Sequence, residues 1–431
     1  MLCLAAQGTL GDTTFLTLAA ARDRALAANP GLRAERAASR AAAAGRLEAS
    51  RAFLPTLTAD AQAVRSNDPV AVFGMKLRQG GFTAGDLNLG ALNEPAPYTD
   101  YTTRLGAELP LLNLEGWYGY AAAERAAAAQ TAAARRAAGA TLFTVTRAYW
   151  DAQLAAERVA ALDTALGAAH AHAAQADALH QQGLVSGLDA RLARLRAARL
   201  EAQQLGAAAD ADNALAALRT LLALRDSTVL RLADALGAEH PGDSIPATAA
   251  PGTRGDLAAL DQGVRAAELG VRRAWAANLP SVALFGNVAQ HSNVGPVNDG
   301  NGDWTVGVGL VWRPFAGLAG AGAIARARAE RDATQARREA AVLQARLEIV
   351  QGERLYDAAV RRMAVARGAR AEAVVALDQA RLRYRTGAAT ISELLDVQAA
   401  STDADLDLLS ARHDVLVAAA LLDFANGAFD Q

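Results

Sequence analysis

At 431 residues the chain is long for one compact domain and fits two or three, or one elongated repeat architecture. Its 43 basic and 45 acidic residues leave a net charge of −2, which gives no electrostatic case for a nucleic-acid partner, and a lone Cys3 excludes an internal disulfide and a thiolate zinc cluster. Alanine dominates a hydrophobic fraction of 52% while aromatics make up 5%, a composition short of volume for a thick core and suited to thin helical walls.

The first 16 residues, with "MLCLAAQGTLG", have a short apolar run but no basic n-region and resemble the tail of a signal peptide. No run of about 18 apolar residues follows anywhere. The first structural repeat spans residues 17–224 and opens with a helix from near Leu18 to just before Pro55, because proline disfavours helix at the residue before it. Strict alternation then predicts a strand at about 55–65, with Leu57, Ala59, Ala61 and Ala63 on one face and Thr56, Thr58, Asp60 and Gln62 on the other. Its partner, at about 101–112, sets Leu105, Ala107 and Leu109 against Arg104, Gly106 and Glu108. Between them Ser66–Asp100 is polar and turn-rich.

A proline-free helix then runs from about Ala121, and its larger apolar residues recur at coiled-coil spacing: Leu142, Val145, Tyr149, then Val159, Leu162, Leu166. It ends at a turn, residues 183–187, where Gly183 supplies the φ > 0 of a helix C-terminus and Ser186 with Asp189 begins a returning helix as a capping box. The helical hairpin covers 121–224. A linker at 225–253, rich in Pro and Gly, leads to a second repeat at 254–425 with the same plan: helix, Pro280, strands at about 280–290 and 303–313, and a hairpin at 323–425 whose tip lies at 387–391. Leu343, Leu347, Val350 and Tyr356, Val360, Met363 form its stripe, and Gly387, Thr390 and Glu393 repeat the turn. Pro55 and Pro280 mark equivalent helix–strand junctions 225 positions apart, whereas the tip glycines are 204 apart, which places a deletion of about 21 positions in the second repeat. Residues 426–431 are a tail.

Strands of about 10 residues span a bilayer when tilted, yet four of them cannot close, and an open edge does not survive in hydrocarbon. The chain must share its barrel with copies of itself: two give 8 strands and a filled interior, three give 12 and a lumen. Aromatics stand near the strand ends, with Phe53, Trp117, Tyr118, Trp312 and Phe315 at the helix side and Tyr98, Tyr101 and Trp304 at the loop side. Such belts are expected at membrane interfaces; the alternative is that they cap a water-soluble core.

The duplicated plan, above all "YRTGAATISELLDVQAAST" and "GLVSGLDARLARLRA", resembles the TolC-like outer-membrane efflux proteins from about Leu16 to Phe424, and "VFGMKLRQGGF" with "YTDYTTRLGAELPLL" is similar to the outer loop and second strand of one branch. The resemblance implies a mainly α protein with membrane β: a homotrimeric α-barrel of long hairpins crossing the periplasm, joined to a shared 12-stranded β-barrel in the outer membrane of a Gram-negative bacterium. It implies a passive exit duct for efflux or type I secretion, not an enzyme, without cofactor or metal. A periplasmic adaptor protein would dock at the tips, Gly183, Leu184, Val185, Ser186 and Gly387, Ala388, Ala389, Thr390, and an inner-membrane pump would supply energy. Tyr384 matches the family's gate tyrosine, Asp189 its aspartate, and Glu393 and Asp396 its acidic ring. Ala389 stands where the family has a gating arginine, leaving a Tyr384–Asp189 hydrogen bond.

Rings of carboxylates favour cations; the structural alternative makes Glu393 and Asp189 capping acids and Asp396 a solvated residue. Of His170, His172 and His180, the first two are two apart and so lie on different helix faces, and no carboxylate or cysteine completes a ligand set; the Gly-x-Gly of "VGVGLVW" fits a crowded strand better than a dinucleotide loop. The competing class is a non-channel periplasmic coiled-coil scaffold or adaptor.

Overall fold

The computed structural model describes residues 13–236, 254–296 and 300–430. Cys3 with the rest of the first 12 residues, linker residues 237–253, loop residues 297–299 and Gln431 lie outside them. The chain forms two compact units, one of residues up to 38, 131–259 and 339–431, the other of 39–130 and 260–338. Both sequence repeats contribute to each.

In the first unit, strand β1 (Thr13–Leu16) pairs in parallel with β4 (Val229–Leu232). Sequence reading placed these residues in a terminal segment and a linker. The helix expected from Leu18 to Pro55 is two: α1 (Leu18–Ala28) and α2 (Pro30–Ala49). The residue before a proline is driven out of helical geometry, and Asn29 is extended (φ −58°, ψ 122°). It serves both helices, its backbone N–H donating to the Ala25 carbonyl and its side chain accepting from Leu32 N–H at 3.1 Å. Around β1 and β4 a core gathers Leu16, Val145, Tyr149, Trp150, Leu218, Leu222 and Leu230. The Tyr149 hydroxyl lies 2.9 Å from both the Leu16 carbonyl oxygen and an Asp234 carboxylate oxygen. Burial, more than these contacts, pushes its pKa up to about 12.

The long hairpins pair α5 (Leu114–Gln181) with α6 (Gly187–Leu221) and α8 (Ala319–Arg385) with α9 (Ile391–Asn426). At 68 and 67 residues, α5 and α8 are each roughly 100 Å long at ~1.5 Å per residue. On α5 the expected stripe faces inward: Val145, Tyr149 and Leu162 are buried. On α8 the seam differs from expectation. From Ala345 to Ala366 the buried positions are Ala345, Gly352, Ala359 and Ala366, one small residue every seven, with Leu377 and Ala380 buried nearer the tip, while Leu343, Leu347, Val350 and Val360 stay exposed. A Cβ on Gly352 would sit 3.3 Å from Leu422 Cδ1, so small residues let α8 approach α9 closely and turn its larger side chains outward. Arg254 stitches the same unit together, with Glu348 at 2.8 Å, Asp256 at 2.7 Å and the Ala425 carbonyl at 3.1 Å.

The second unit carries helix α7 (Gly255–Ala276) from Leu260 on, and one antiparallel sheet, β2 (Thr56–Ser66), β3 (Tyr98–Leu112), β5 (Ser281–Ser292) and β6 (Asn301–Val311), in that order. The two expected hairpins are therefore joined through β3 and β5. In the segment read as loop, two helices form: α3 (Pro69–Arg78), started by Asp68 accepting from Ala71 N–H and by Pro69 at its first position, and the short α4 (Leu89–Asn93). Lys76 on α3 pairs with Asp86 at 2.6 Å. That hydrogen bond, followed by those from Thr83, holds the Asp86 carboxyl down at about 2.

Candidate functional site

The register of the sheet sorts its side chains into two faces. Thr56 lies opposite Glu108, Thr58 opposite Gly106, Asp60 opposite Arg104 and Gln62 opposite Thr102. These rows continue through Asn287, Ala289 and His291 to Thr305, Asp303 and Asn301, making one polar face across four strands. Arg104 stands 3.9 Å from Asp60 across it. Alternation puts Leu57, Leu105, Val288, Trp304, Val306, Val308 and Leu310 on the other face. That face is apolar and open, with Leu57 76%, Val306 62% and Leu310 66% exposed. Strands β2 and β6 each have one neighbour, so both outer edges are unpaired.

Phe285 is the exception on the polar face. Its ring lies over Gly307, its partner on β6, where a Cβ would meet the ring at 2.7 Å. The glycines of "VGVGLVW" thus accommodate an aromatic side chain.

The aromatics divide accordingly. Phe53, four residues past the end of α2, stacks on Trp117 at 6.2 Å and meets Tyr120 edge-on at 5.3 Å. Tyr118 is half-buried beside it in sequence on α5. Trp312, just after β6, donates its indole N–H to the Asn278 carbonyl at 3.2 Å, and Trp304, at the other end of β6, projects from the apolar face. Pro55 and Pro280 each stand one residue before a strand, β2 and β5.

The tips of the helical hairpins belong to the first unit. Gly183 (φ +74°) and Gly387 (φ +76°) both adopt the left-handed conformation that a side chain would strain. Leu184, Ala388 and the two glycines are exposed, and Val185 and Ala389 half-buried. Ser186 caps α6 in a full capping box, with Asp189 accepting from its N–H at 3.2 Å and its hydroxyl at 2.9 Å. Thr390 caps α9 by accepting from Glu393 N–H. Here the box is incomplete, because the Glu393 carboxylate turns to Arg383 at 3.1 Å. Behind the turns, Ala173, Ala176, Ala190, Ala193, Leu377, Ala380, Ile391, Leu394 and Leu395 pack together with Tyr384 against them.

Within one chain Tyr384 and Asp189 do not share the expected hydrogen bond, since both bonds of Asp189 go to Ser186. Their proximity is electrostatic: burial first, and the Asp189 charge second, push the Tyr384 hydroxyl pKa up. Asp396 is exposed on α9, one turn from Glu393. Sequence reasoning missed Arg383, whose approach to Glu393 depends on the fold of the turn, and the buried cluster of Asp100, Thr102 and His291 at the loop end of the sheet. Groups of three or more residues suited to a metal are absent among the described residues, and no described helix is long and apolar enough to cross a membrane.

A sequence profile of the outer membrane efflux proteins matches residues 21–224 and 249–428, nearly the whole described chain. The chain belongs to that family. It is an outer-membrane efflux protein, and the two-faced sheet and long helices are the parts its class requires. No curated protein is similar enough in sequence to match. Among solved structures, the fold is similar to that of a membrane protein from Pseudomonas aeruginosa (23% identity, TM-score 0.82, 95% of this chain and 92% of that one). It is likewise similar to the MtrE outer membrane channel of Neisseria gonorrhoeae in its open state (22%, 0.79, 95% and 88%) and to the CmeC outer membrane channel of Campylobacter jejuni (18%, 0.82, 95% and 85%).

Proposed function

We propose that three copies of the chain close into one duct, which passively conducts substrate out of the cell as the outer-membrane member of a tripartite efflux or secretion system. The observation that carries this reading is the four-stranded sheet with one apolar and one polar face and two unpaired edges. An exposed apolar sheet face is costly in water and at home in lipid, and edges are removed only by pairing, β6 of one copy with β2 of the next. Three copies give 12 strands and a lumen lined by the polar face. The outward stripe of α8, with Leu343, Leu347 and Val350 uncovered within the chain, supports a wall completed by neighbouring copies. A soluble scaffold accounts for neither surface.

The tips, Gly183–Ser186 and Gly387–Thr390, would meet a periplasmic adaptor, and through it an inner-membrane pump. Glu393 is partly neutralised by Arg383, so the acidic entrance ring rests mainly on Asp396. Conduction involves no bond-making step; it depends on an open polar path and on charge at its narrowest point. Purified protein in planar bilayers should give discrete cation-preferring openings, with selectivity reduced in Glu393→Ala/Asp396→Ala. Protein that stays soluble without detergent and never inserts would refute the duct. Unchanged selectivity in the variant would refute the acidic entrance.

A further inference from the structure

We propose that α3 is a lid over the loop-side mouth of the lumen, clasped by a buried polar cluster on β3, β5 and β6. This rests on the reading that the polar face of the sheet lines a conducting path.

Burial along that face carries the inference. At its helix-side end the polar face is open: Thr56, Thr58 and Asp60 are all exposed. At the loop-side end of the same face Asp100, Thr102 and His291 are buried, between 3% and 8% exposed. What covers them is α3 and the turn that follows it. Val72 and Met75 are the buried residues of α3. From the turn, the Gln79 side-chain amide donates to Asp100 Oδ1 at 2.7 Å and to the Thr99 carbonyl at 3.1 Å, while Tyr98 donates to Gln79 Oε1 at 2.8 Å. On the far side, Asn301 of β6 donates to the Arg78 carbonyl at 2.9 Å.

Beneath the lid the strands are tied to one another. Asp100 of β3 meets His291 Nδ1 at 2.9 Å and accepts from the Thr102 hydroxyl at 2.9 Å, and Asp303 of β6 meets His291 Nε2 at 3.3 Å. The cluster therefore holds two strands on either side of β5 at a fixed spacing and presents Asp100 to Gln79. Such an arrangement differs from a surface loop that merely connects β2 to β3. A connector has no need to lay ten residues of helix across the polar face, or to bury a histidine and a carboxylate under it, and most loops run over the outside of a fold. The attachment is also of the kind that opens. The lid is tied to the sheet by a few hydrogen bonds at its C-terminal turn and by Lys76 over the Tyr98 ring, and segments with so few attachments occupy the low-stability end of a structure. In a trimer, three lids would narrow the aperture from three sides.

Gly80 offers a reversible lock. A Cβ placed on it would stand 3.8 Å from Asn301 Cβ, within the ~3.5–4.5 Å of a disulfide, although at φ +66° a cysteine there carries backbone strain. The test is Gly80→Cys/Asn301→Cys in a Cys3→Ser background, recorded in planar bilayers after oxidation and again after dithiothreitol, with the crosslink confirmed by peptide mass. Conductance in the reduced state, which also lacks the Asn301 hydrogen bond, should exceed that in the oxidised state by about twofold or more, because the lids leave the permeation path. Gln79→Ala in the same background should raise conductance irrespective of reductant. A crosslink that forms without altering conductance would overturn the lid, and so would unchanged conductance in Gln79→Ala, which decides the matter where the strained Gly80→Cys position does not crosslink. Absence of conductance in the Cys3→Ser parent would instead remove the duct itself, and the lid with it.

Discussion

Gly307 shows how a single position carries the shape of the sheet. Its missing side chain makes room for the Phe285 ring, whose terminal carbon lies where a Cβ would meet it at 2.7 Å. Gly307→Val should therefore destabilise the protein by ~1–3 kcal/mol, the usual cost of overpacking, and Phe285→Ala in the same chain should restore much of the loss. The heat-induced dissociation temperature of the purified protein measures both; equal losses in the single and double variants would contradict the packing. Positions of this kind were legible to different depths. Gly183 and Gly387 announce themselves because only glycine takes positive φ freely. Gly307 was readable as a crowded strand residue but not as the partner of Phe285, since register between strands is set by the whole sheet. Asp189 and Glu393 look alike in sequence, each three residues after a hydroxyl cap, yet one closes its capping box and the other reaches Arg383. Nothing local distinguishes them.

At the scale of elements, strong periodicity and proline or glycine punctuation were enough to foresee the four sheet strands and both long hairpins. The misses share a cause. β1 and β4 are four residues each and exist only by pairing across more than 200 positions; α3 is ten residues with a glycine inside and is held by contacts to β3. Tertiary context decides such short pieces. The α8 seam is a subtler case: the larger apolar residues have coiled-coil spacing, but through the middle of the helix the alanine and glycine positions at intervals of seven are the ones buried. The tip turns make a prediction at this scale. Ser186→Ala removes a cap worth ~0.5–2 kcal/mol together with the acceptor and donor that Asp189 uses. Amide exchange should quicken at 187–190, with the dissociation temperature little changed because the turn is exposed. Unaltered exchange there would show that packing on Ala190 and Ala193, not the cap, orders the start of α6.

For the whole molecule, an Ala-rich chain with few aromatics builds helical walls instead of a thick core, and leaves two surfaces unsatisfied within one copy: the apolar face of the sheet and the outer stripe of α8. Lipid and neighbouring copies would satisfy them, and the polar face then becomes the inner wall of a duct. That division of faces is the central claim. Cysteine accessibility on adjacent residues of β6 tests it directly, with Thr305→Cys on the polar face and Val306→Cys on the apolar one, each in a Cys3→Ser background and each exposed to a charged, membrane-impermeant thiol reagent during bilayer recording. The account predicts that modification of the Thr305→Cys channel changes its conductance within seconds while the Val306→Cys channel is unaffected. Block at Val306→Cys with an inert Thr305→Cys would mean that the faces are reversed and that the polar rows do not line the path.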